Sequence, residues 1–365
     1  MKRFPAYDPP EYVDWVPDAD LVAEYRSTLD RDPDRRRVID ALSHEQLLQI
    51  YGRLVRARLH DITLKRWVRL GTISKAWLGT GEEATTVGPV FALDPTCDLV
   101  APMIRNAAAC CDMGMPLADM LRAYLASADS PSGGRDLHAG SFPHNVLQPV
   151  SPIGLMVPVT AGLALAGRLR GEAVVALNWV GDGSTKVAAT HEGFNFAASM
   201  RLPVIYIIQN NQVALGTRVE QHHLGGDLSA LPGAYGMTGG TFDGNNVLDA
   251  YAATSLAVER CRAGRGPVML VAKTFRMGGH ATHDEREARA TFAPELFQEW
   301  GRREPIGLFE EYLVSLGIAR DQLADTESEV EREVERAEEE ALSSRELMPD
   351  PASALQGVYA RDHVR

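Results

Sequence analysis

Two nearly continuous apolar runs stand in the middle of the chain. One covers residues 173–180 and the other covers residues 204–208, and β-branched residues are frequent in both. Runs of this kind, separated by a helix-length segment, are typical of strands buried on both faces of a parallel sheet. A Gly-Asp-Gly triplet centred on Asp182 follows the first run, and Asn210-Asn211 follows the second. The pattern predicts two parallel strands whose carboxyl ends carry these polar residues.

Apolar residues at helical spacing occur on both sides of these runs. Ser43 and Gln46 have the form of a capping box, and the apolar stripe after them predicts a long helix that Gly71 ends. A third strand is expected near residues 267–273. Further helices are predicted near residues 81–92, 115–127, 156–169, 186–200 and 246–263. This alternation indicates an α/β fold with a mainly parallel sheet and flanking crossover helices.

The two ends of the chain and two long internal segments show no sustained period. Residues 1–40 contain five prolines and many charges, and they are predicted to form an irregular N-terminal arm. The α/β domain, including C-terminal helices, is expected to span residues 41–348, and a tail follows at 349–365. Residues 127–152 and 277–291 are predicted to be loops. Loops of this length inside a compact domain are usually functional or disordered.

Composition and charge narrow the class of protein. The chain has 365 residues and 45% apolar content, which is enough for one large or two ordinary domains. A net charge of −12 argues against general nucleic-acid binding, so an anionic ligand has to be bound by local groups. No apolar stretch reaches about 18 residues, and the first residues lack the apolar region of a signal peptide. We therefore expect a cytoplasmic protein that does not enter a membrane.

Acidic residues and cysteines add less information. Acidic residues concentrate at 326–340, where valines and alanines keep helical spacing, so an amphipathic helix with a solvated face is expected. The cysteines have neither metal-ligand spacing nor a disulfide framework, and we expect packed, reduced thiols at Cys97, Cys110, Cys111 and Cys261.

The polar residues after the two central strands have the chemistry of a metal and diphosphate site. Strand carboxyl ends border the ligand crevice of an open α/β sheet, so Asp182 and Asn211 are expected to reach one ion. Mg²⁺ prefers a few protein oxygens together with phosphate oxygens. Gly181 and Gly183 would allow close approach of the backbone. A lone Gly-Asp-Gly is common in ordinary turns. The pairing with Asn211 is what favours a functional site here.

The same pairing, with a strand before each half, resembles the thiamine diphosphate motif of thiamine-dependent enzymes. Further motifs follow the order of one family: Gly81-Glu82-Glu83-Ala84, Gly134-Arg135, Ser151-Pro152-Ile153, Glu192-Gly193-Phe194-Asn195-Phe196-Ala197-Ala198 and Phe275-Arg276-Met277-Gly278-Gly279-His280. From about Ser43 to Met348 the chain resembles the α subunit of the decarboxylating component of 2-oxo acid dehydrogenase complexes. It is similar to both the pyruvate and the branched-chain versions.

This resemblance implies a thiamine diphosphate-binding fold and a reaction. Members of the family decarboxylate a small 2-oxo acid with thiamine diphosphate and Mg²⁺, and they transfer the acyl group to a lipoyl domain of an acyltransferase component. The glutamate that activates the cofactor comes from a separate β subunit. The resemblance therefore implies an assembly of two α and two β subunits, in which this chain supplies half of each active site.

The resemblance also implies roles for individual residues. Asp182 and Asn211 would bind Mg²⁺ through their side chains, and Val213 would bind it through its backbone carbonyl. Arg105 would contact the diphosphate. His280 would contact the cofactor, hold intermediates and promote acyl transfer. The remaining implied cofactor contacts are Gly181, Gly183 and Ser184 at the diphosphate, and Ser151 and Ile153 at the aminopyrimidine.

Several residues depart from the pattern of the family. Ile104 stands where a tyrosine is usual, Lys186 where a polar uncharged residue is frequent, and Gln209 where charged residues are common. Leu155 and Met156 replace polar residues of a monovalent-cation site, so no K⁺ site is expected.

Two alternatives to the main interpretation remain open. The chain could be the α subunit of an acetoin dehydrogenase, which shares these motifs, or a non-catalytic paralogue that binds the cofactor. The presence of Asp182, Asn211, Arg105 and His280 together speaks against the second alternative. Ala281 stands at the position of the regulatory phosphoserine of mitochondrial relatives, which excludes phosphorylation at that position.

Overall fold

A five-stranded sheet forms the centre of the computed structural model, which describes residues 4–225 and 227–356. The strands are β1 Leu99–Ala101, β2 Ala176–Gly181, β3 Val204–Asn210, β4 Val213–Ala214, β5 Thr217–Arg218, β6 Thr238–Asp243 and β7 Val268–Lys273. The sheet has the order β1-β2-β3-β7-β6, and every neighbouring pair in it is parallel. Strands β4 and β5 form a small antiparallel ribbon. The predicted α/β fold with a mainly parallel sheet is confirmed.

Helices flank the sheet on both faces and build a separate helical layer. In chain order they are α1 Pro10–Val13, α2 Ala19–Asp30, α3 Pro33–Asp40, α4 His44–Arg69, α5 Ala84–Phe91, α6 Ala108–Asp112, α7 Leu117–Leu125, α8 Met156–Arg170, α9 Ala188–Ser199, α10 Val219–His222, α11 Leu231–Ala234, α12 Val247–Arg262, α13 Glu285–Thr291, α14 Pro294–Gly301, α15 Pro305–Ser315 and α16 Arg320–Ser343. Each helix that the apolar spacing predicts is present.

Apolar side chains cover both faces of the central strands. In β3, Ile205 and Ile207 pack against α5, α6 and α12, while Tyr206 and Ile208 pack against α8 and α9 on the opposite face. Burial on both faces explains why these strands are continuous apolar runs. The predicted strands near 173–180, 204–208 and 267–273 correspond to β2, β3 and β7.

The two edge strands of the sheet were not predicted. Strand β1 has three residues and is followed by Pro102, and β6 begins with Thr238-Gly239-Gly240. Neither sequence has the apolar run of a central strand. Short strands, glycine and proline are tolerated at a sheet edge, where one side has no strand partner.

The long helix α4 begins and ends as its sequence predicts. The amide of Gln46 donates to Ser43 Oγ over 3.2 Å, and the amide of Ser43 donates to Gln46 Oε1 over 2.9 Å. The helix stops at Arg69, and Gly71 follows with φ +72°. The acidic helix α16 packs on α4 and α7, and its apolar stripe is buried at Val330, Val334, Ala337 and Ala341.

The prediction of an irregular N-terminal arm is wrong for residues 10–40, which form α1, α2 and α3. Asp18 caps α2, Asp32 caps α3, and Pro33 occupies the start of α3. Proline at the first helical position and aspartate at the cap are helix-starting features. The residues that indicated an irregular segment therefore begin helices. The packing of α2 on α15 and of α3 on α12 joins the arm to the body.

The predicted boundaries at residues 41 and 348 remain predictions. Residues 1–3 and residues 357–365 of the tail lie outside the described part of the chain, and a 3₁₀ turn at Pro351–Leu355 precedes the latter. The predicted 277–291 loop is shorter than expected, because α13 occupies its last part. The 127–152 segment is mostly loop, although Val146 bridges to Val100 beside β1.

Two further predictions can be compared with the structure. All four cysteines are free, and Cys110 and Cys261 are buried, as predicted. Among the described residues, every helix is too short or too polar to cross a bilayer.

A buried ionic cluster fastens the N-terminal arm to the helical layer. The fully buried guanidinium of Arg58 donates to Glu83 Oε1 over 2.5 Å and to Glu304 Oε1 over 2.9 Å. Asp8 Oδ1, from the arm, lies 3.8 Å from Arg58 Nη1. Burial raises the pKa of Glu83 to about 7, although Arg58 opposes the shift. Arg58 is therefore the cation that makes three buried carboxyl groups tolerable.

We expect Arg58→Met to destabilise the fold by about 3–5 kcal/mol, because it leaves buried carboxyl groups without their cation. The matched control is Arg320→Met, which removes an exposed arginine that pairs with Glu310 and Glu311. Surface pairs of this kind contribute about 0–1 kcal/mol. Urea unfolding of the purified chain, followed by circular dichroism, measures both changes. Equal midpoints for the two variants would contradict the role of Arg58.

Candidate active site

The two polar motifs lie side by side at one edge of the sheet. Strands β2 and β3 are adjacent and parallel, and Gly181 is in register with Gln209. Asp182 follows the end of β2, and Asn211 follows the end of β3. The register of the sheet therefore places the carboxyl ends of these two strands side by side, as the sequence predicted. Both side chains are buried, Asp182 with 2% and Asn211 with 5% of its surface exposed.

Each of these two side chains has one polar atom in a hydrogen bond and one oxygen without a partner. Asp182 Oδ1 accepts from the amide of Gly183 over 2.8 Å, whereas Oδ2 is buried without a hydrogen-bond partner in the described chain. The amide nitrogen of Asn211 donates to Glu82 Oε1 over 2.9 Å, and its Oδ1 likewise lacks a partner. A buried polar atom without a partner costs about 1–3 kcal/mol. Two such oxygens at neighbouring strand ends fit a cation that binds oxygen.

The electrostatics of Asp182 agree with a cation site. Burial raises the pKa of its carboxyl group above the ordinary value, and the amide of Gly183 and the imidazole of His222 oppose that shift. A bound cation would stabilise the ionised form and reverse the effect of burial. No three His, Cys, Asp or Glu side chains among the described residues form a metal-binding group. A metal here would therefore depend on amide, carbonyl and ligand oxygens, as suits Mg²⁺.

Glu82 fixes the orientation of Asn211. Its carboxylate is 1% exposed and accepts from Gln209 Nε2 over 2.6 Å as well as from Asn211. A carboxylate only accepts hydrogen bonds, so the amide nitrogen of Asn211 faces Glu82 and its oxygen is left for another partner. Gln209 also accepts from Asn106 Nδ2 over 2.9 Å. A neutral amide at position 209 therefore completes a buried network instead of disturbing it.

The glycine after Asp182 is required by close packing. A Cβ on Gly183 would lie 2.4 Å from Cβ of Ala214 in the β4–β5 ribbon. Val213, which begins this ribbon, is buried and pairs with Arg218. Gly183 and Ser184 lie in a short 3₁₀ turn at Gly183–Lys186 that leads into α9. The backbone after Asp182 is thus held tightly against the ribbon that carries Val213.

Arg105 lies beside both Glu82 and His280. It is in a 3₁₀ turn at Ile104–Asn106 after β1, and its Nη1 donates to Glu82 Oε2 over 3.3 Å and to the carbonyl of Leu78 over 3.1 Å. Its Nη2 donates to the carbonyl of His280 over 3.3 Å and lies 3.4 Å from His280 Nδ1. The structure thus brings Arg105 and His280 together, although they are far apart in sequence.

His280 is neutral near pH 7 in this environment. Burial lowers its pKa to about 4, and the positive charges of Arg105 and Arg276 act in the same direction. Because the guanidinium of Arg105 is a donor, Nδ1 accepts and Nε2 carries the proton. The imidazole therefore presents an N–H donor on its Nε2 side.

Ser151 and Ile153 are not joined to these groups. Both are exposed, Ile153 with 61% of its surface, and neither has a hydrogen bond to Asp182 or Asn211 within the described chain. Gly154 follows with φ +80°, and a Cβ there would lie 2.3 Å from Thr190 Oγ1, so this segment is packed against α9. The implied contact of Ser151 and Ile153 with an aminopyrimidine remains a prediction.

Sequence reasoning assigned no role to three residues that the structure brings to this site. Glu82 and Arg276 belong to quoted motifs, and their clustering depends on tertiary contacts that spacing does not show. Arg276 is buried and donates to the carbonyls of Gly278 and Leu215, and burial lowers its pKa to about 10. His222, at the end of α10, has Nε2 3.7 Å from Asp182 Oδ2. No signal in the sequence marks His222.

The sheet and its strand ends define an α/β protein with a cluster of buried polar side chains at the carboxyl edge of a parallel sheet. Residues 51–350 match the dehydrogenase E1 component family, and the chain belongs to that family. Its α subunits are components of thiamine diphosphate-dependent oxidoreductases and work with a β subunit. The resemblance to the α subunit of 2-oxo acid dehydrogenases is confirmed.

Individual relatives agree with this assignment. The chain is 32% identical over 324 residues to the 2-oxoisovalerate dehydrogenase subunit alpha of Bacillus subtilis, which covers 88% of this chain and 97% of that protein. It is 33% identical over 282 residues to the pyruvate dehydrogenase E1 component subunit alpha of Bacillus cereus, with 76% and 72% covered. The mitochondrial 2-oxoisovalerate dehydrogenase subunit alpha of Mus musculus is 29% identical over 322 residues, with 87% and 72% covered. The acetoin-type and non-catalytic alternatives are not favoured.

We expect Gly183→Ala to weaken binding of thiamine diphosphate in the presence of Mg²⁺, because its Cβ would displace Asp182 or the β4–β5 ribbon. Overpacking costs about 1–3 kcal/mol, which corresponds to roughly a 5- to 150-fold loss of affinity. The matched control is Gly216→Ala in the same ribbon, where a Cβ meets nothing within 4 Å. Calorimetric titration of the complex with the β subunit measures both. Unchanged affinity in Gly183→Ala would refute the packing argument.

Proposed function

We propose that this chain is the α subunit of a 2-oxo acid dehydrogenase that holds thiamine diphosphate and Mg²⁺ at the carboxyl ends of β2 and β3. The observation that carries the proposal is the pair of buried oxygens without partners, Asp182 Oδ2 and Asn211 Oδ1. With the backbone carbonyl of Val213 they offer three oxygen ligands, and diphosphate oxygens would take further positions around Mg²⁺. When bound, thiamine diphosphate supplies the carbanion chemistry of decarboxylation.

Local groups of this chain would anchor the diphosphate. Gly181, Gly183 and Ser184 would contact the diphosphate where β2 turns towards α9. The amide of Gly183 donates to Asp182 Oδ1, and the tight packing of Gly183 against Ala214 holds that turn in place. Arg105 adds a positive charge in a chain whose net charge is −12. Strong local anchors are needed because the overall charge repels an anion.

His280 would act at the acyl-transfer end of the site. Burial, with the nearby charge of Arg105, keeps its pKa low and its imidazole neutral, and the contact of Nδ1 with Arg105 leaves the Nε2–H as a hydrogen-bond donor. A donor of this kind stabilises developing negative charge through a hydrogen bond while it keeps its proton. Arg105 would therefore have two functions, one towards the diphosphate and one in positioning His280.

Exposed apolar side chains around the start of α8 support a partner subunit. Ile153, Leu155 and Val159 are exposed apolar side chains at and before the start of α8, with 61%, 42% and 47% of their surfaces exposed. Clustered exposed apolar side chains mark interaction surfaces. We propose that a β subunit covers this region and supplies the glutamate that activates the aminopyrimidine near Ser151 and Ile153. Two α and two β subunits would form the assembly, consistent with the closed symmetry of most oligomers.

The substrate in this proposal is a small 2-oxo acid, and the acyl acceptor is a lipoyl domain of the acyltransferase component. Relatives of similar identity are named for 2-oxoisovalerate and for pyruvate. The proposal therefore includes both the branched-chain acid and pyruvate as substrates to be tested. The exposed position of Ser151 and Ile153 leaves the substrate pocket to be completed by the β subunit.

Asp182→Ala should abolish Mg²⁺-dependent binding of thiamine diphosphate, because Asp182 is the only formal charge among the proposed ligands. We expect a loss of affinity of at least about 100-fold, the upper end of what removal of an outer-shell partner costs. Asp321→Ala, at an exposed position in the first turn of α16, is the control and should bind normally. Calorimetry on the complex with the β subunit decides. Wild-type affinity in Asp182→Ala would sink the proposed metal site.

His280→Ala should retain Mg²⁺ and thiamine diphosphate but lose reductive acylation of a lipoyl domain, by roughly 10² to 10³ in rate, the usual cost of removing one hydrogen-bond donor to a developing negative charge. Decarboxylation of pyruvate or 2-oxoisovalerate with an artificial electron acceptor should remain measurable. His283→Ala is the control, because His283 is exposed on the same loop. Both half-reactions are to be measured on one preparation. Normal lipoyl acylation by His280→Ala would end the proposed role.

A further inference from the structure

A histidine without hydrogen-bond partners lies next to the proposed metal ligand Asp182. His222 is the last residue of α10, and its side chain is 12% exposed. Both of its ring nitrogens are buried without a hydrogen-bond partner in the described chain. Its Nε2 lies 3.7 Å from Asp182 Oδ2, which also lacks a partner. Two complementary polar atoms therefore face each other at a distance that is too long for a hydrogen bond.

The neighbouring histidine shows that this is a local property of His222. His223 is next in the chain, and its Nδ1 lies 2.8 Å from Lys186 Nζ, within hydrogen-bond distance. A histidine in this segment can therefore have a hydrogen-bond partner, and the lack of one is specific to His222. Leaving two ring nitrogens and a carboxylate oxygen unsatisfied costs free energy, because each buried group loses its water. A ligand that engages both Asp182 and His222 would recover that cost.

A cation accounts for this pair of atoms. A carboxylate oxygen and an imidazole nitrogen are both metal ligands, and two ligand atoms that each lie about 2.1 Å from one octahedral ion are roughly 3 to 4 Å apart. The 3.7 Å between Asp182 Oδ2 and His222 Nε2 falls within that range. We propose that His222 Nε2 is a nitrogen ligand of the metal ion that Asp182 holds, an inference that rests on the proposed function. The metal shell then consists of oxygens from Asp182, Asn211 and Val213, a nitrogen from His222, and diphosphate oxygens.

This ligand set changes the preference of the site. Mg²⁺ prefers oxygen ligands, whereas imidazole nitrogen suits first-row transition metals, whose affinity for such sites is generally higher. A site with His222 as a ligand binds Mn²⁺ in preference to Mg²⁺. Two other arrangements keep nitrogen away from the metal: an ion pair of His222 with Asp182, and a hydrogen bond from His222 to the diphosphate. Both leave a shell of oxygens only.

The test is pulsed electron paramagnetic resonance of Mn²⁺ in the complex with the β subunit, loaded with thiamine diphosphate. A directly bound imidazole gives ¹⁴N modulation of the Mn²⁺ signal, which changes when the histidines carry ¹⁵N. We expect this modulation in the wild type and its loss in His222→Gln. His223→Gln is the matched control, since it removes the adjacent histidine, and it should keep the modulation.

A second measurement uses binding alone. Calorimetric titration with Mn²⁺ and with Mg²⁺, each with thiamine diphosphate, should show the Mn²⁺ to Mg²⁺ affinity ratio falling by at least about tenfold in His222→Gln, because even outer-shell changes have effects of this size. The ratio should stay at the wild-type value in His223→Gln.

The outcomes separate the inference from the proposed function. If wild-type protein binds Mn²⁺ without ¹⁴N modulation, His222 is not a ligand, and the proposed metal site at Asp182 and Asn211 still stands. If the wild type binds neither Mn²⁺ nor Mg²⁺ with thiamine diphosphate, the metal site itself is wrong and the inference falls with it. The wild-type spectrum decides the question even if His222→Gln does not fold.

Discussion

The carboxylate of Glu82 is the interaction on which the site depends. It lies before α5, is almost completely buried, and accepts hydrogen bonds from Gln209, Asn211 and Arg105. These three donors come from the end of β3 and from the turn after β1, so one carboxylate connects two parts of the sheet edge. A buried charge is tolerated only with good partners of this kind. Since its partners are fixed, the amide oxygen of Asn211 and the guanidinium of Arg105 are fixed as well.

From this constraint follows a division of the site into two parts. On one side, Asn211 and Asp182 each keep one oxygen without a partner at adjacent strand ends. On the other side, Arg105 contacts His280, whose pKa is lowered by burial first and by the charge of Arg105 second. Loss of Glu82 would disturb both sides, because Arg105 and Asn211 would each leave a buried donor unsatisfied. The two proposed roles, cofactor anchoring and acyl transfer, would therefore share one structural support in Glu82.

The sheet centre and the strand-end pair were predictable because both depend on local patterns. The runs that became β2 and β3 are apolar on both faces, and the parallel register then brings Asp182 and Asn211 together without further information. The N-terminal arm was not predictable from its prolines, because Pro33 and Asp32 act at the start of a helix whose burial against α12 is a tertiary effect. The edge strand β6 was not predicted either, because its first residues, Thr238-Gly239-Gly240, lack the apolar run of a central strand.

The sequence predicted which residues belong to the site better than it predicted the contacts between them. The residues Asp182, Asn211, Arg105 and His280 were found by their motifs, and their order in the chain suggested a family. The partners that orient them were not found, because Glu82 contacts residues more than 20 positions away in sequence. Spacing along a strand or helix does not report such contacts. The match of residues 51–350 shows that the chain belongs to the family. The roles proposed for Asp182, Asn211, Arg105 and His280 are argued from the geometry of the site.

The most direct test of the central claim is the position of the cation. Crystals of the complex with the β subunit, grown with thiamine diphosphate and Mn²⁺, would give an anomalous difference map that locates the metal. The account predicts one peak within bonding distance of both Asp182 Oδ2 and Asn211 Oδ1, with the amide nitrogen of Asn211 still on Glu82. A peak elsewhere, or bound cofactor with no cation at Asp182 and Asn211, would contradict it.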